Sequence, residues 1–412
     1  MIPISSSDHW HRFLESGSVA FFPAAALTMK HVIYFSHDCS DASVRRRVRM
    51  LQAAGADVSL IGFRRTDEPL TEVAGVKPID LGRTHPGRFP HRFAKMLRSY
   101  ANLRRVLRNL PEPSAVLGRT VEMMPLAAKC QRYFRGRPTL IYESLDIHRL
   151  LLSSSWTGRF LQKLERFYVE RADLVLTSSP GFIREYFRPR FGPNVPIRLV
   201  ENKVLQLDAL AEVDRAGKTG NREQTQWTIG WFGALRCAES LRVLTALATA
   251  LAGRVKVIVR GFPAPSVFGD LETQLKDVPN VRFYGRYRNP EDLKQIYAEV
   301  DFVWAIDMFE TGANSKWLLP NRLYEGGCFA AVPLAQADTE VGRWVEEHGA
   351  GVQFSSPLLS NLRIFFEALD QERFELLANA VASLPAETWV DRAAECDALL
   401  AAMVTKRPRF PA

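Results

Sequence analysis

Asn321 and Glu325 stand four residues apart in the segment Asn314-Ser-Lys-Trp-Leu-Leu-Pro-Asn-Arg-Leu-Tyr-Glu-Gly-Gly327. That spacing puts both on one face of a short helix. Pro320 suits the start of such a helix, where spare N–H groups need no partner, and Gly326 and Gly327 suit its end. A helix N-terminus attracts phosphate. A carboxylate one turn further on can accept hydrogen bonds from a sugar diol. The pairing suits a nucleotide-sugar; on the segment alone, a capped surface helix is an equal reading. Asp146, in Tyr142-Glu-Ser-Leu-Asp-Ile-His148, lies where a carboxylate can deprotonate an acceptor hydroxyl. Glu143 and His148 stand close enough to compete for that role or to orient it, and Asp146 also fits a helix N-cap. Gly233 opens the backbone to a ligand, and Arg236 can pair with a diphosphate. Arg260, Arg286 and Lys316 are further cations at the ends of predicted strands or beside the helix.

These positions make sense only if strands deliver them to one edge. Lys30–Phe35 reads as a buried strand, Ser43–Ala54 as a helix stopped by Gly55, and Asp57–Phe63 as a second strand, a βαβ start to a parallel sheet. Further strands are predicted at Thr139–Tyr142, Leu174–Thr177 and Ile197–Val200. After a polar stretch, the alternation restarts at Thr228–Phe232, Val255–Val259, Val281–Tyr284, Phe302–Ile306 and Ala330–Leu334. The expected division is a leader or misassigned start at 1–28, an acceptor-binding domain at 29–205 and a linker at 206–226. A nucleotide-sugar-binding domain follows at 227–385, and a returning helix with its tail at 386–412. In open parallel sheets ligands sit beyond the strand C-termini, so two such domains predict a site in the cleft between them.

Composition narrows the classes. The 412 residues exceed one ordinary domain. Five scattered cysteines form no CxxC or His/Cys cluster, so neither a disulfide framework nor a structural zinc is indicated and a reducing cytoplasm is expected. No apolar run approaches the roughly 20 residues that span a bilayer. The first turn lacks GxGxxG, and neither GxxxxGK[ST] nor GxSxG occurs, which argues against NAD/FAD, P-loop and common hydrolase chemistry. No Asp-x-Asp occurs either, leaving a metal–diphosphate clamp without a candidate. Between Arg83 and Pro138 thirteen Lys and Arg face two Glu; such a block suits an anionic surface. The stretch His91–Leu110 reads as a basic helix whose apolar side is as suited to the domain core as to lipid.

Taken together, the residues resemble a glycosyltransferase of the GT-B fold: two facing Rossmann-like α/β domains with parallel sheets, and a C-terminal helix crossing back to the first. The likeness runs from Met29 to Val404. Ser40-Asp-Ala-Ser-Val-Arg45, Asp173-Leu-Val-Leu-Thr-Ser-Ser-Pro180 and Leu199-Val-Glu-Asn202 resemble acceptor-domain segments. Gly233 resembles the glycine under the donor diphosphate, and Pro320 to Glu325 the Pro-Asn-Lys-x-x-Glu donor motif with Arg322 in place of Lys. Thr388-Trp389-Val390 resembles the segment before the crossing helix. Within the fold the likeness is to bacterial exopolysaccharide glycosyltransferases, including succinoglycan biosynthesis enzymes of the ExoL kind.

That resemblance implies transfer of a hexose, UDP-glucose being the expected donor, to a polyprenyl-diphosphate-linked oligosaccharide at the cytoplasmic face of the plasma membrane. It implies no cofactor and no metal. Tyr142-x-x-x-Asp146 matches a related enzyme's base in spacing, which makes Asp146 the implied base. Many retaining members carry two Glu separated by seven residues; here Trp317 stands at the first position, leaving Glu325 as the ribose ligand and favouring inversion. Two rivals stay open: a catalytically silent homologue that binds a nucleotide-sugar, and a basic nucleic-acid-binding protein, which lacks a binding motif and an aromatic stacking platform.

Overall fold

A computed structural model describes residues 29–85, 89–207, 226–310 and 314–406. Among these residues the first sheet has seven strands: β1 (His31–Ser36), β2 (Asp57–Arg64), β3 (Ile79–Arg83), β4 (Ala115–Arg119), β5 (Thr139–Ser144), β6 (Leu174–Thr177) and β7 (Ile197–Leu199). They run in the order β3-β2-β1-β4-β5-β6-β7, every pair parallel. A parallel sheet is covered on both faces, so its central strands are apolar throughout rather than alternating. All six residues of β1 are buried, and all of β5 and β6 as well. Alternate β1 residues feed two cores: Ile33 and Phe35 pack on one face, Val32 and Tyr34 on the other.

Helix α1 (Ala42–Ala53) begins where the Asp41 carboxylate accepts from the Ser43 N–H, a standard N-cap. It ends at Gly55, whose φ of +77° is left-handed. Helix α2 (Phe89–Leu107) carries the basic stretch, α3 (Met124–Tyr133) follows β4, and α4 (Trp156–Val169) follows β5. The short strand β8 (Val204–Leu205) leaves the first domain.

The second sheet comprises β9 (Trp227–Leu235), β10 (Val255–Pro263), β11 (Val281–Phe283), β12 (Phe302–Trp304), β13 (Val332–Gln336) and β14 (Val352–Phe354). Their order is β11-β10-β9-β12-β13-β14, again parallel. The strand β15 (Val390–Asp391) then pairs with β8, so the two chain crossings between the domains lie side by side. The last helix, Ala393–Val404, lies on α1, with Cys396, Leu399, Leu400 and Met403 entering the core that holds Val44 and Val48. The expected leader falls outside the described residues, as do residues 208–225 of the expected linker.

Candidate functional site

The helix read from Pro320 onward is present as Asn321–Cys328. Pro320 is its cap, and the two glycines do not end it. Gly326 lies against β12, where a Cβ would meet Val303 at 2.5 Å, and a Cβ on Gly327 would overlap the Trp389 ring. They are there because the helix packs too closely on its neighbours for any side chain.

Glu325 is buried on this helix. Its Oε1 accepts from Asn289 Nδ2 at 2.7 Å and its Oε2 from the Tyr297 hydroxyl at 3.1 Å. Burial raises its carboxyl above the usual range, while Asn289, Tyr297 and Arg322 pull the other way. A carboxylate has about four lone-pair sites, so two anchoring bonds leave acceptor capacity for a diol. Asn321 is exposed on the first turn. Arg322, at the Lys position of the motif, is instead buried: its Nε donates to Trp304 O at 2.6 Å and its Nη2 to Ile306 O at 2.8 Å. It closes the end of β12.

Three glycines mark the C-terminal ends of β9, β10 and β11: Gly233 (φ +108°), Gly261 (+137°) and Gly285 (+73°). Gly233 and Gly261 are register partners, and Gly261 N–H donates to Gly285 O at 2.8 Å. A Cβ on Gly261 would overlap Gly233 O. Gly261 thus lets the strands close up, and Gly233 beside it keeps its own Cα face open to a ligand. Tyr287 joins it, its hydroxyl 4.0 Å from where a Gly233 Cβ would stand. Burial raises the Tyr287 phenol and the Glu325 charge raises it further, which links the glycine edge to the Glu325 carboxylate.

Asp146 lies two residues beyond β5 and caps no helix; Ser155 caps α4, and His148 accepts from Leu150 N–H at the turn before it. Asp146 keeps contact with solvent, while the protein packed around its carboxyl displaces part of its hydration. That crowding raises its pKa; Arg236, a hydrogen bond from Asn314 and Arg119 oppose the rise without cancelling it. Asn314 comes from the second domain and is itself buried. Its Oδ1 accepts from Ile147 N–H at 3.1 Å, so the amide ties the Asp146 loop to the second domain and favours the charged form of the carboxyl. Arg236 stacks on Phe309, 4.8 Å from the guanidinium carbon to the ring centroid, and its charge reaches Asp146, Asp307 and Glu310.

The neighbours of Asp146 have other work. Glu143 is fully buried, paired with Arg47 at 2.7 Å and Arg119 at 3.2 Å, and accepts from Tyr34 at 2.5 Å. Burial pushes its carboxyl up, but the two guanidiniums outweigh that and hold it below its ordinary value. Arg119 therefore belongs to this internal cluster and not to the basic surface.

Three predicted cations are not gathered with Asp146 and Glu325. Arg260 is turned to the sheet face covered by helix Leu293–Ala298, bonded to Glu299 at 2.7 Å and stacked on Tyr284. Arg286 stacks on exposed Phe262, and Lys316 pairs with Asp338 at 3.1 Å. Alternation along a strand separates Arg260 from its glycine neighbour, and no motif announces that. Sequence reasoning gave no role to Asn314, Tyr287, Asn289 or Glu310; their types are ordinary and only the fold brings them to the cleft. The apolar side of α2 packs inward: Leu103 and Leu107 are fully buried, while Leu97 is 54 % exposed. No described helix is long and apolar enough to cross a membrane.

Residues 40–203 match the family described as Glycosyl transferase 4-like domain. Over 384 residues the chain is 40 % identical to the succinoglycan biosynthesis protein ExoL of Rhizobium meliloti (strain 1021), covering 93 % of this chain and 95 % of that one. Among solved structures it is similar to Anabaena HepE in complex with UDP and glucose, with TM-score 0.63 and 13 % identity over 90 % of this chain and 98 % of that one. Sucrose-phosphate synthase of Thermosynechococcus elongatus gives TM-score 0.65 and 12 % identity over 90 % and 97 %. At such identities the structural likeness concerns the fold.

Proposed function

Because this chain belongs to the family of GT-B glycosyltransferases that includes ExoL, we propose that it transfers a hexose from a nucleotide-sugar to a polyprenyl-diphosphate-linked oligosaccharide, with Asp146 as base. The observation that carries this reading is the placement of Asp146. It stands at the cleft with a raised pKa, across from Arg236 and held by Asn314 of the opposite domain. UDP-glucose is the proposed donor; HepE was solved with UDP and glucose, and separately with UDP-glucose. The relative's name points to succinoglycan assembly as the process.

In this mechanism Glu325 accepts the ribose hydroxyls, held in place by Asn289 and Tyr297. The glycine edge at Gly233 lets the diphosphate approach backbone. Arg236 and the exposed helix start at Asn321 stabilise negative charge as the nucleoside diphosphate leaves. Asp146 takes the acceptor proton while the acceptor oxygen attacks the anomeric carbon. Attack from the base's side inverts the anomeric configuration, so an α-linked donor gives a β-linked product. Charge stabilisation by Arg236 and the helix start makes the proposed transfer metal-independent. Arg260 and Lys316, their charges paired with Glu299 and Asp338, contribute less than Arg236, while Arg286, stacked on Phe262 as Arg236 is on Phe309, stays available to the diphosphate. Cytoplasmic placement follows from a nucleotide donor.

The test is transfer to a lipid-linked acceptor, followed by mass analysis, with the anomer read by NMR and EDTA present in one arm. Asp146→Asn is expected to lower kcat by about a hundredfold or more with donor affinity within about twofold, as a change confined to the chemical step requires. Glu325→Ala is expected to weaken UDP-glucose binding. Unchanged transfer by the first variant removes Asp146 as base, and unchanged donor affinity in the second removes the ribose assignment. A donor-binding protein with no transfer to any lipid-linked acceptor would be the silent homologue instead.

A further inference from the structure

Helix α4 presents an outward ridge that the site leaves unused. Trp156 is 76 % exposed, Phe160 55 % and Phe167 46 %. At 100° per residue these three side chains fall within a sector of about 40°. The opposite side of the helix is buried through Leu161, Glu165, Tyr168 and Val169. Large aromatics gathered on one ridge are uncommon on a solvent-facing helix, where scattered single apolar residues are the norm.

Cations flank the ridge. Arg171 stacks on Phe167, its guanidinium carbon 3.6 Å from the ring centroid. On the other flank Arg159, Lys163 and Arg166, the last paired with Glu170, join Arg190 around a cavity of about 260 Å³ whose lining also includes the buried Glu165. Liquid water takes about 30 Å³ per molecule, so a phosphate with part of its hydration fits there. Arg159 and Lys163 form no ion pair among the described residues. Aromatic rings at a ridge with lysine and arginine beside them match a helix lying in the interface of an anionic bilayer. Helix α2 does not match: it is cationic, but its apolar residues Leu103 and Leu107 lie in the core.

The ridge is also tied to the site. Trp156 follows Asp146 by ten residues. Gln162 on α4 donates to Leu151 O and Ser153 O, both at 3.0 Å, on the connecting segment. Gly158 lies so close to that segment that a Cβ would meet Leu150 O at 2.7 Å. The start of α4 and the loop leaving Asp146 therefore form one packed unit.

We propose that the outer face of α4 docks on an anionic phospholipid bilayer, setting the Asp146 loop at the surface where a lipid-linked acceptor lies. The docking rests on the transfer reading for its purpose and on the ridge for its chemistry. The rings enter the interfacial region, and the flanking cations and the cavity take lipid phosphates.

The full chain is tested with phosphatidylglycerol-containing vesicles, phosphatidylcholine vesicles serving as the uncharged arm. Wild type is expected to sediment with the first and far less with the second. The triple variant Trp156→Ser, Phe160→Ser, Phe167→Ser is expected to lose vesicle affinity by about tenfold or more, the scale of removing interfacial aromatic anchors, while keeping its UDP binding and unfolding temperature. Brominated lipid is expected to quench tryptophan emission in wild type and not in Trp156→Phe. The proposal is overturned if wild type ignores anionic vesicles, if the triple variant binds them equally, or if quenching persists in Trp156→Phe. It is also overturned if the triple variant turns a dimer into a monomer, which makes the ridge an interface between copies, or if only charge reversal at Arg98, Arg104, Arg105 and Arg108 abolishes binding. Donor binding, measured without vesicles, reads the transfer assignment separately.

Discussion

Glu165, buried, and Asp146, solvent-exposed, both carry carboxyls raised by lost hydration, and they answer to different measurements. Glu165 sits under α4, accepting from the Tyr142 hydroxyl at 2.9 Å and from the Tyr186 hydroxyl. Burial outweighs both bonds and lifts its pKa from 4.5 to about 7. A carboxyl raised on folding gives stability that is complete below about pH 4.5 and is lost as pH rises through about 7. At 1.36 kcal/mol per unit, the full effect is about 3 kcal/mol. Glu165→Gln keeps hydrogen-bonding capacity and removes the titration, so urea midpoints of the variant and wild type should diverge between pH 5 and pH 8, wild type falling behind. Parallel profiles would show that Glu165 titrates normally. Asp146 is read by rate instead. Its raised pKa places the acid limb of kcat/KM above the ordinary aspartate range of about 4, with activity falling as pH drops through it. Sequence reasoning singled out Asp146 and Glu325 because residue type and position relative to the predicted elements both pointed there. It counted Arg260 among the donor cations without seeing its direction, which is set by strand alternation against a neighbouring helix, and it gave no role to Tyr287 and Asn289, which matter only through what they touch.

The parallel sheets were legible because two-sided burial writes apolar runs into β1, β5, β6, β9 and β10. Edge strands lack that signature: β3 (IDLGR) and β14 (VQF) are mostly half-buried and too short to show a period. Strand β4 is buried, but its five residues follow Pro111 and Pro113 and end in Arg119, and no sequence expectation covered it. The glycine edge is an element-level property: Gly233, Gly261 and Gly285 each follow a predicted strand in the sequence, but only the sheet sets them side by side. Gly261→Ala should show the difference. It adds backbone strain at φ +137° and drives a Cβ into Gly233 O, so a loss of about 2 kcal/mol or more is expected, together with weaker donor binding. Gly253 also has positive φ (+82°) but nothing within 4 Å of its Cβ position. Gly253→Ala should therefore cost only the backbone term, about 1 kcal/mol, and leave the donor alone. Chemical denaturation of the pair separates strain from collision, and equal losses would refute the close-approach account.

At the scale of the molecule the domains hold each other through polar contacts from one side of the cleft to the other. Tyr324 donates to Glu201 at 2.7 Å, Arg184 pairs with Glu340 at 2.5 Å, and Arg45 donates to the carbonyl of Asn289, the residue whose side chain anchors Glu325. Asn314 is the member of this set that reaches the chemistry. It belongs to the second domain, accepts from Ile147 N–H of the first, and its side chain favours the charged form of Asp146. In the proposed mechanism the base is thus placed by the opposite domain, so its geometry depends on how the two domains meet. Asn314→Ala removes a donor that favours the charged form of Asp146, and the remaining loss of hydration then raises the pKa further. Three outcomes are expected together: kcat down by about tenfold or more from lost orientation, donor affinity unchanged, and the acid limb of kcat/KM shifted to higher pH. A purely structural Asn314 would lower stability without moving the limb. A limb that stays in place while kcat falls would therefore deny the amide its hold on the carboxylate, and pH profiles of the variant and wild type on one lipid-linked acceptor decide the matter.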